Sequence, residues 1–194
     1  MALIENIREI LNNVGVVYNY QNKNDSRLAV NDRQGLLYLI DNVFEIYPLL
    51  TTNQRNRYNL LKTTLMNGTT HFKTLEGYEE YKSTFMLSNS VVWDLVELYE
   101  SGNLQVDNWI IGFINGEGCF YLNKGRCSFM IEHTDKNALD LIKHRLNIGP
   151  SVLERSARSR DEGKARKTTY QLNISSKKDI NTLIAFLDNK ENIP

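Results

Sequence analysis

The sequence predicts an α+β protein with antiparallel sheets, and three observations predict this class. Apolar residues recur every three or four positions in several segments, which is typical of amphipathic helices. Other segments alternate apolar and polar residues, as half-buried strands do. The same order of helices and strands also occurs twice along the chain. At 194 residues, of which 41% are hydrophobic, the chain can bury one core of ordinary size or two small ones.

The repeat relates residues 2–50 to residues 138–194, and each copy is predicted to run helix, strand, strand, helix. The first helix of each copy has apolar residues at helical spacing: Leu3, Ile4, Ile7 and Leu11 in one, Leu139, Ile142 and Leu146 in the other. Gly15 or Gly149 follows and is expected to stop the helix. Strands are predicted over 16–18, 27–30, 152–155 and 168–174, and second helices over 36–44 and 180–187.

The segments outside the repeat predict how the chain divides. The first copy is followed by a tail to Lys82, with a helix through Tyr58, Leu61 and Leu65, and the second copy is preceded by residues 104–137. We therefore expect an incomplete first half over 1–87, a linker helix over 88–103 and a second half over 104–194. Relative to a full tandem repeat, the first half is expected to lack the counterpart of 104–137.

The segment 109–120 carries the sharpest motif: a short apolar helix with Gly112 and Gly116 one turn apart on one face. Because glycine has no Cβ, two such helices can cross with their backbones in close contact. Gly118 is expected to end the helix in the left-handed conformation, which leaves Glu117 beside the crossing. Two such helices bring two carboxylates together, as a divalent-metal site at a scissile phosphate requires. The alternative is a tight helix cap with an incidental exposed glutamate.

A strand over 119–122, a turn over 123–126 and a strand over 127–133 follow this helix, and then comes the repeat unit. Together with the motif, this order resembles the LAGLIDADG family of homing endonucleases and intron maturases. The resemblance implies αββαββα halves with saddle-shaped antiparallel sheets. Residues 104–194 would form one half, with motif helix 109–118, and the N-terminal copy would form part of another.

The resemblance also implies roles for individual residues. In the family the last acid of each motif binds the metal, and that position is Glu117. Asn115 stands where the family usually has an aspartate. His133 falls where a polar residue often organises active-site waters, and Lys178 where a lysine often neutralises transition-state charge. In the first copy the position corresponding to Lys178 is Gln34, so the basic group is missing there.

A polar face and a basic loop are the candidates for nucleic-acid contact. Alternation puts Lys167, Thr169, Gln171 and Asn173 on one side of the predicted strand, and in the family that side lies in the DNA major groove. The alternative is a solvated sheet face. The further basic candidates lie in the hairpin turn and in one loop: Lys124, Arg126, Arg155, Arg158, Arg160, Lys164, Arg166 and Lys167. They would hold phosphates without sequence preference; the alternative is a solvated loop.

Charge and composition restrict the kinds of metal site, disulfide and membrane segment that the sequence can contain. Net charge is zero, but residues 1–100 have 9 Lys and Arg against 12 Asp and Glu, whereas residues 101–194 have 14 against 11. Cys119 and Cys127 are expected to be reduced thiols. The three scattered histidines do not predict a zinc site, so any metal is expected to have oxygen ligands. No secretory signal or membrane-spanning segment is recognisable.

By the resemblance, the expected reaction is Mg²⁺-dependent hydrolysis of DNA phosphodiesters, in a truncated, split or degenerate homing endonuclease. One motif supplies one carboxylate, so a second helix would be needed from another polypeptide, from self-association or from residues upstream that have been lost. The first alternative is a silent maturase-like or domesticated protein that binds intron or ribosomal RNA within a ribonucleoprotein. A second is a structural subunit that docks a partner through Gly112 and Gly116. Richness in Asn, Lys, Ile and Tyr suggests an organelle, most readily the mitochondrion.

Overall fold

The structure, a computed structural model, describes residues 2–20, 22, 25–69, 71–156 and 167–189, without the side chains of Ala2 and Asn123. The chain divides into two compact units. Unit 1 contains residues 1–49 and 54–90, and unit 2 contains residues 50–53 and 91–194. Helices alternate with antiparallel strands in both units, so the predicted α+β class is confirmed.

Unit 1 repeats the predicted helix, strand, strand, helix order and adds two helices. Strands β1 and β2 pair antiparallel, from Val16 opposite Ala29 to Tyr20 opposite Asp25. Helix α2 continues into a π-helical turn, Ile40–Phe44, with Ile40 buried. The bounds are α1 Ala2–Ile10, β1 Val16–Tyr20, β2 Asp25–Ala29, α2 Arg33–Leu39, α3 Thr52–Met66 and α4 Leu75–Asn89.

Unit 2 has one helix, α5, before a series of helix, two strands, helix, two strands, helix. Its four strands form an antiparallel sheet in the order β3-β4-β6-β5. The series therefore has the αββαββα order that the sequence predicts. The bounds are α5 Leu95–Glu100, α6 Asp107–Glu117, β3 Gly118–Asn123, β4 Arg126–His133, α7 Lys136–Leu146, β5 Leu153–Arg155, β6 Thr169–Ile174 and α8 Lys177–Asp188.

The core of unit 2 lies between one face of this sheet and the helices. Alternate residues of β4 and β6 point into it, because neighbouring side chains on a strand lie on opposite faces. These are Phe129, Ile131, Leu172 and Ile174, all fully buried. Helices α6, α7 and α8 contribute apolar side chains at helical spacing: Ile110, Ile114, Leu139, Ile142, Leu146, Leu183 and Phe186. The other sheet face keeps the side chains of alternate polar residues.

Asparagine, and not the predicted glycine, ends the first helix of each repeat copy. The left-handed residue after α7 is Asn147, with φ 49° and ψ 48°, and the corresponding residue after α1 is Asn12, with φ 57°. Asparagine tolerates this conformation better than other residues that have a Cβ. The prediction that Gly149 stops α7 was therefore wrong. Gly15 has φ 85°, but it lies beyond Asn12 and leads into β1.

Two helices differ from the sequence prediction: one was not predicted, and the other is shorter than predicted. Helix α4 was not predicted, because its residues show no apolar stripe and none of them is buried. The helix expected across 88–103 covers only Leu95–Glu100. The Asp94 carboxylate begins it by accepting hydrogen bonds from the Val96 and Glu97 backbone N–H groups. In the described part of the chain, no helix is long and apolar enough to cross a membrane.

Candidate functional site

Helix α6 carries the glycine motif, and the core and an ion pair fix its position in unit 2. Ile110 and Ile114 are buried and lie four residues apart, on one face of the helix. In its first turn, Asp107 accepts hydrogen bonds from Arg145 Nε at 2.7 Å and Nη2 at 2.6 Å. This hydrogen bonding raises the pKa of Arg145, so the guanidinium stays charged at ordinary pH. The motif helix therefore has a fixed orientation on α7.

The opposite side of α6 is open. Gly112 and Gly116 are exposed, and a Cβ added at either position would meet no heavy atom within 4 Å in the described chain. Since residues four apart in a helix lie on one face, the two glycines form a flat backbone strip. This strip could receive a second helix at close range. The crossing itself stays a prediction.

Glu117 is the last residue of α6 and is exposed, as is Asn115. A helix C-terminus has partial negative charge from its last carbonyl groups, so a carboxylate there is mildly unfavourable for the helix itself. The same two features together attract a cation. The position of Glu117 therefore suits ligand binding better than it suits the stability of α6.

Gly118 is required by crowding, which corrects the predicted left-handed cap. Its backbone is extended, with φ −81° and ψ 145°. A Cβ at this position would lie 2.5 Å from the Ile114 carbonyl oxygen and 2.7 Å from Phe129 Cε2. The prediction was wrong because β3 begins directly at Gly118, opposite Ile131, and a strand needs extended backbone. Glycine is present because α6 and the Phe129 ring leave no room for a side chain.

His133 lies at the end of β4 and contacts the motif helix. Trp109 stacks on Phe113 with ring centroids 4.7 Å apart, and Phe113 meets the His133 ring edge-on at 5.1 Å. The Asp135 backbone N–H donates to His133 Nδ1 at 3.0 Å. Because Nδ1 accepts this bond, the neutral ring carries its proton on Nε2. Glu117 thus ends α6, and His133 ends β4 and contacts the same helix through Phe113.

Lys178 lies on a different element, in the first turn of α8, and is exposed. Ser176 caps α8 by accepting from the Asp179 N–H at 3.1 Å, as Asp32 caps α2 by accepting from the Gly35 N–H at 2.7 Å. Lys178 and Gln34 are each the second residue after these caps. The two repeat copies therefore differ at equivalent places, as the sequence alignment predicted.

The polar row predicted to contact bases lies on the sheet face opposite the core, and cross-strand contacts restrain it. Thr169 Oγ1 donates to Glu132 Oε1 at 2.6 Å. Tyr121 OH lies 3.5 Å from Asn173 Oδ1. The Gln171 amide contacts the Met130 sulfur, and the Gln171 side chain is buried. Among the three strand residues of this row, Asn173 is the exposed one.

Four of the predicted basic residues fall within the described chain and are exposed: Lys124, Arg126, Arg155 and Lys167. Lys124, with φ 50°, and Gly125, with φ 77°, form the two-residue turn that joins β3 to β4. Four others lie outside the described residues: Arg158, Arg160, Lys164 and Arg166. Arg126 alternates with the core residues Phe129 and Ile131 of β4, and Arg155 lies directly opposite Thr169 on β6, so both belong to the face of Thr169 and Asn173.

A divalent cation fits this site only in part. Glu117 offers one exposed carboxylate, the ligand type that Mg²⁺ prefers. Within the described residues, no group of three or more His, Cys, Asp or Glu side chains could hold a metal. Cys119 and Cys127 are exposed free thiols, and they are not opposite each other, because Cys119 faces Met130 and Cys127 faces Leu122.

The site residues predicted from the sequence do not include Asp107, Arg145 or Phe113. Asp107 stands in the first turn of its helix and Arg145 in the last turn of another, which are ordinary places for an acid and a base. Their pairing depends on how α6 packs against α7. Phe113 was part of the apolar helix, but nothing in the spacing indicated that it would contact His133.

No protein-family model matches the sequence. Three solved structures are similar. The LAGLIDADG homing endonuclease I-GzeII in complex with its DNA target matches with a TM-score of 0.66 and 17% identity over 99% of this chain and 70% of its own. The I-LtrWI LAGLIDADG homing endonuclease bound to target DNA matches with a TM-score of 0.63 and 20% identity, over 99% of this chain and 70% of its own. The LAGLIDADG meganuclease I-CpaMI bound to uncleaved DNA matches with a TM-score of 0.61 and 17% identity, over 98% of this chain and 72% of its own.

The chain has the LAGLIDADG fold. The likeness confirms, at the level of fold, the resemblance that the motif indicated. In the terms of this fold, unit 2 contributes the motif helix α6 and the four-stranded sheet, and unit 1 contributes the β1–β2 hairpin. At identities of 20% or less, these structures share the fold with this chain, and its chemistry depends on its own residues.

Proposed function

We propose that this chain is a component of a LAGLIDADG homing endonuclease, which hydrolyses phosphodiesters of double-stranded DNA at a long recognition site with Mg²⁺. One observation carries the proposal: an exposed carboxylate, Glu117, ends a helix whose Gly112 and Gly116 strip is open. The three similar structures are described as complexes with DNA, which supports a nucleic-acid ligand.

Each of the three predicted site residues would have its own role in the reaction. Glu117 would hold the cation, and the bound ion would activate the attacking water and neutralise charge on the phosphate. His133, whose Nδ1 accepts from Asp135, would present Nε2–H to water or to a phosphate oxygen. Lys178 would place its ammonium against the charge that develops on the scissile phosphate. All three side chains are at least partly accessible to solvent.

One carboxylate is not enough for this reaction. We propose that a second motif helix, from another polypeptide, from self-association or from residues outside the given sequence, packs on the glycine strip of α6 and brings a second acid beside Glu117. The chain is then active only where such a second helix is present. Its nucleic-acid contacts would be the sheet face with Thr169, Gln171 and Asn173, and the basic residues of the adjoining turn and loop. Phosphates would bind the basic residues and fix the position of the duplex.

The second candidate is a silent binding protein that holds structured RNA, in the manner of a maturase or as part of a ribonucleoprotein. The equivalence of Gln34 with Lys178 favours it, because one half of a paired site would lack its basic group. The buried Gln171 also leaves fewer polar groups for base edges. In either case we propose an organelle, the mitochondrion, as the site of action, from the composition of the sequence.

A nicking assay on long duplex DNA with Mg²⁺ tests the first candidate. At a chain concentration that permits self-association, which can supply the second motif helix, we expect nicks with the unmodified chain and a loss of at least about a hundredfold with Glu117→Gln, since the metal ligand is removed. Glu154→Gln, at an exposed glutamate of β5, is the matched control and should retain the activity. Equal activity of the two variants, each with an unchanged melting temperature, rejects the nuclease. Purification with bound RNA and no nicking establishes the second candidate.

A further inference from the structure

Unit 2 buries the acidic residue Asp135 without a basic partner. Asp135 is 9% exposed, and among the described residues no lysine, arginine or histidine forms an ion pair with its carboxylate. A carboxylate is unfavourable away from water unless hydrogen bonds replace its hydration. Two backbone groups provide such bonds: the Thr52 N–H donates to Oδ2 at 2.5 Å, and the Asn137 N–H donates to Oδ1 at 3.1 Å.

Both of these donors have fixed positions in unit 2. Thr52 belongs to the short segment 50–53, which groups with unit 2 and contains Leu50, a 2% exposed member of the core cluster. Asn137 lies in the first turn of α7, and its side-chain amide donates to the Trp93 carbonyl oxygen at 3.1 Å. Because neither donor can move far, the carboxylate that joins them is held in one position.

The third hydrogen bond of Asp135 leads to the candidate site. Its backbone N–H donates to His133 Nδ1 at 3.0 Å. The carboxylate and this N–H belong to one residue, so holding the carboxylate limits rotation about the bonds that aim the N–H. A series of hydrogen bonds therefore runs from Thr52 through Asp135 to His133, although Thr52 and Asp135 are 83 positions apart in the sequence.

A helix cap alone does not require this arrangement. Asp135 does cap α7 by its bond to the Asn137 N–H. The aspartate caps of α2 and α5 are Asp32 and Asp94, which are exposed. In the described chain, each of them accepts hydrogen bonds from its own helix. Asp135 differs because it is buried and because its second oxygen binds a donor outside its helix.

We propose that Asp135 is a positioning residue, which keeps His133 as a hydrogen-bond donor at Nε2. It does so because the Thr52 and Asn137 N–H groups hold its carboxylate. In this form Nε2 of the neutral ring has a proton and no lone pair, so it donates to a phosphate oxygen or a water and neither binds a cation nor accepts a proton. The use of this donor in catalysis rests on the proposed function; the positioning of the ring does not.

Nitrogen NMR of the full chain, with isotope-labelled histidine, tests the positioning in the absence of DNA. At a pH where the spectra show a neutral ring, His133 should have its proton on Nε2, and His133→Gln identifies its signals. Asp135→Ala should make the Nδ1–H form detectable, because the backbone at 135 is then free to turn. Asp135→Asn keeps one side-chain acceptor oxygen and should give less of the Nδ1–H form than Asp135→Ala does.

Thr52→Pro tests the remote end of the same series. Proline has no N–H and is tolerated at the first residue of a helix, which is the place of Thr52 in α3. We expect the Asp135 amide proton to exchange at least about tenfold faster, and the Nδ1–H form of His133 to appear. Asp94→Ala is the matched control, because it removes an aspartate cap that has no bond to His133. It should leave both measurements unchanged.

Two results overturn the proposal. One is a His133 proton that stays on Nε2 in both Asp135→Ala and Thr52→Pro, with circular dichroism showing that the variants fold; where they do not fold, Asp135→Asn decides. The other is an equal change in Asp94→Ala, because lost stability would then be the cause.

The nicking assay separates this inference from the proposed function. An unmodified chain that does not nick DNA rejects the nuclease and leaves the NMR result as it is. Full nicking by Asp135→Ala, once its His133 has the Nδ1–H form, rejects the use of the Nε2 donor in catalysis.

Discussion

Gly118 stands where α6 ends and β3 begins, and the reason for glycine there is space. The extended backbone could be adopted by any residue, but the Ile114 carbonyl oxygen and the Phe129 ring occupy the place of a Cβ. Both atoms belong to well-fixed groups, because Phe129 is fully buried. The residue therefore sets the angle between the motif helix and the sheet, and with it the position of Glu117.

We predict that Gly118→Ala lowers the free energy of unfolding by about 1–3 kcal/mol, since a methyl group forces the helix or the ring to move. Urea unfolding followed by circular dichroism measures the change. Gly112→Ala is the control, because its added methyl group has open space. Equal stability of Gly118→Ala and the unmodified chain would contradict the steric explanation.

At the same scale, contacts with neighbouring residues fix the orientation of the His133 ring. The Phe113 ring limits its rotation from one side, and the Asp135 N–H fixes the acceptor nitrogen. Sequence comparison could suggest the position, but not these two contacts. They follow from β4 ending next to α6 and from α7 beginning with Asp135 as its cap.

At the scale of elements, α6 combines a buried face with an exposed face of bare backbone. Glycine in a helix interior costs about 0.5–1 kcal/mol relative to alanine. Helix α6 has two at exposed positions, where an added Cβ would meet no atom of the residues that the structure describes. A helix that served only the core of unit 2 would gain stability from alanine. The glycines therefore favour a function for the strip.

We predict that Gly112→Ala raises the free energy of unfolding by up to about 1 kcal/mol and abolishes DNA nicking, because a methyl group separates the crossing helices. Urea unfolding and the nicking assay, on the same preparation, measure the two effects. Full nicking by the more stable variant would show that no second helix approaches this face.

Glu45 links a second pair of elements, which are the π-helical turn after α2 and helix α3. Lys62 Nζ lies 2.7 Å from Glu45 Oε1, and the Tyr58 hydroxyl donates to the same oxygen. The hydrogen bond from Lys62, with that from Tyr58, lowers the pKa of Glu45 below its ordinary value of 4.5. Burial and the hydrogen bond to Glu45 raise the pKa of Tyr58.

Because the folded pKa of Glu45 is depressed, its stabilising effect is present above the unfolded pKa and is lost as pH falls through the folded value. We predict that Glu45→Gln lowers the free energy of unfolding at neutral pH by at most about 1 kcal/mol, since the pair is largely exposed. The difference should vanish once the pH is below the folded pKa. Urea titrations at both pH values measure it; a loss that does not depend on pH would exclude the ion pair as its cause.

At the scale of the whole molecule, the two units differ in how much apolar surface they bury. Unit 2 has a continuous core that runs from α6 through the sheet to α7 and α8. In unit 1, α4 has no buried residue, and its contacts include aromatic rings such as Tyr81 against Phe72 at 5.2 Å. Local stability follows the density of buried contacts.

We predict that backbone amides of β4, β6 and α7 exchange hydrogen most slowly and those of α4 most rapidly among the helices and strands. The reason is that opening α4 exposes little apolar surface, whereas opening the sheet exposes Phe129, Ile131 and Leu172. Exchange of the free chain, followed by mass spectrometry, gives the order. Protection of α4 equal to that of β4 would indicate that α4 is covered by another element.

The sequence was sufficient for most of the elements and for their repetition, because apolar spacing along a helix or strand is a local property. It predicted the αββαββα order of unit 2, the equivalence of Lys178 with Gln34 and the exposed end of the motif helix. It failed for α4, whose residues have no apolar stripe, and for the glycine caps, because asparagine takes the same conformation. It also missed the burial of Gln171, which depends on Met130 from the neighbouring strand.

Taken alone, the sequence determined the fold class, the place of the motif and the acid at position 117, since these depend on residue type and periodicity. Only the tertiary structure decided why Gly118 must be glycine, how Arg145 holds Asp107, and how Thr52 holds Asp135. These features arise between residues that are distant along the chain. Spacing along one element contains no information about which other element comes to lie against it.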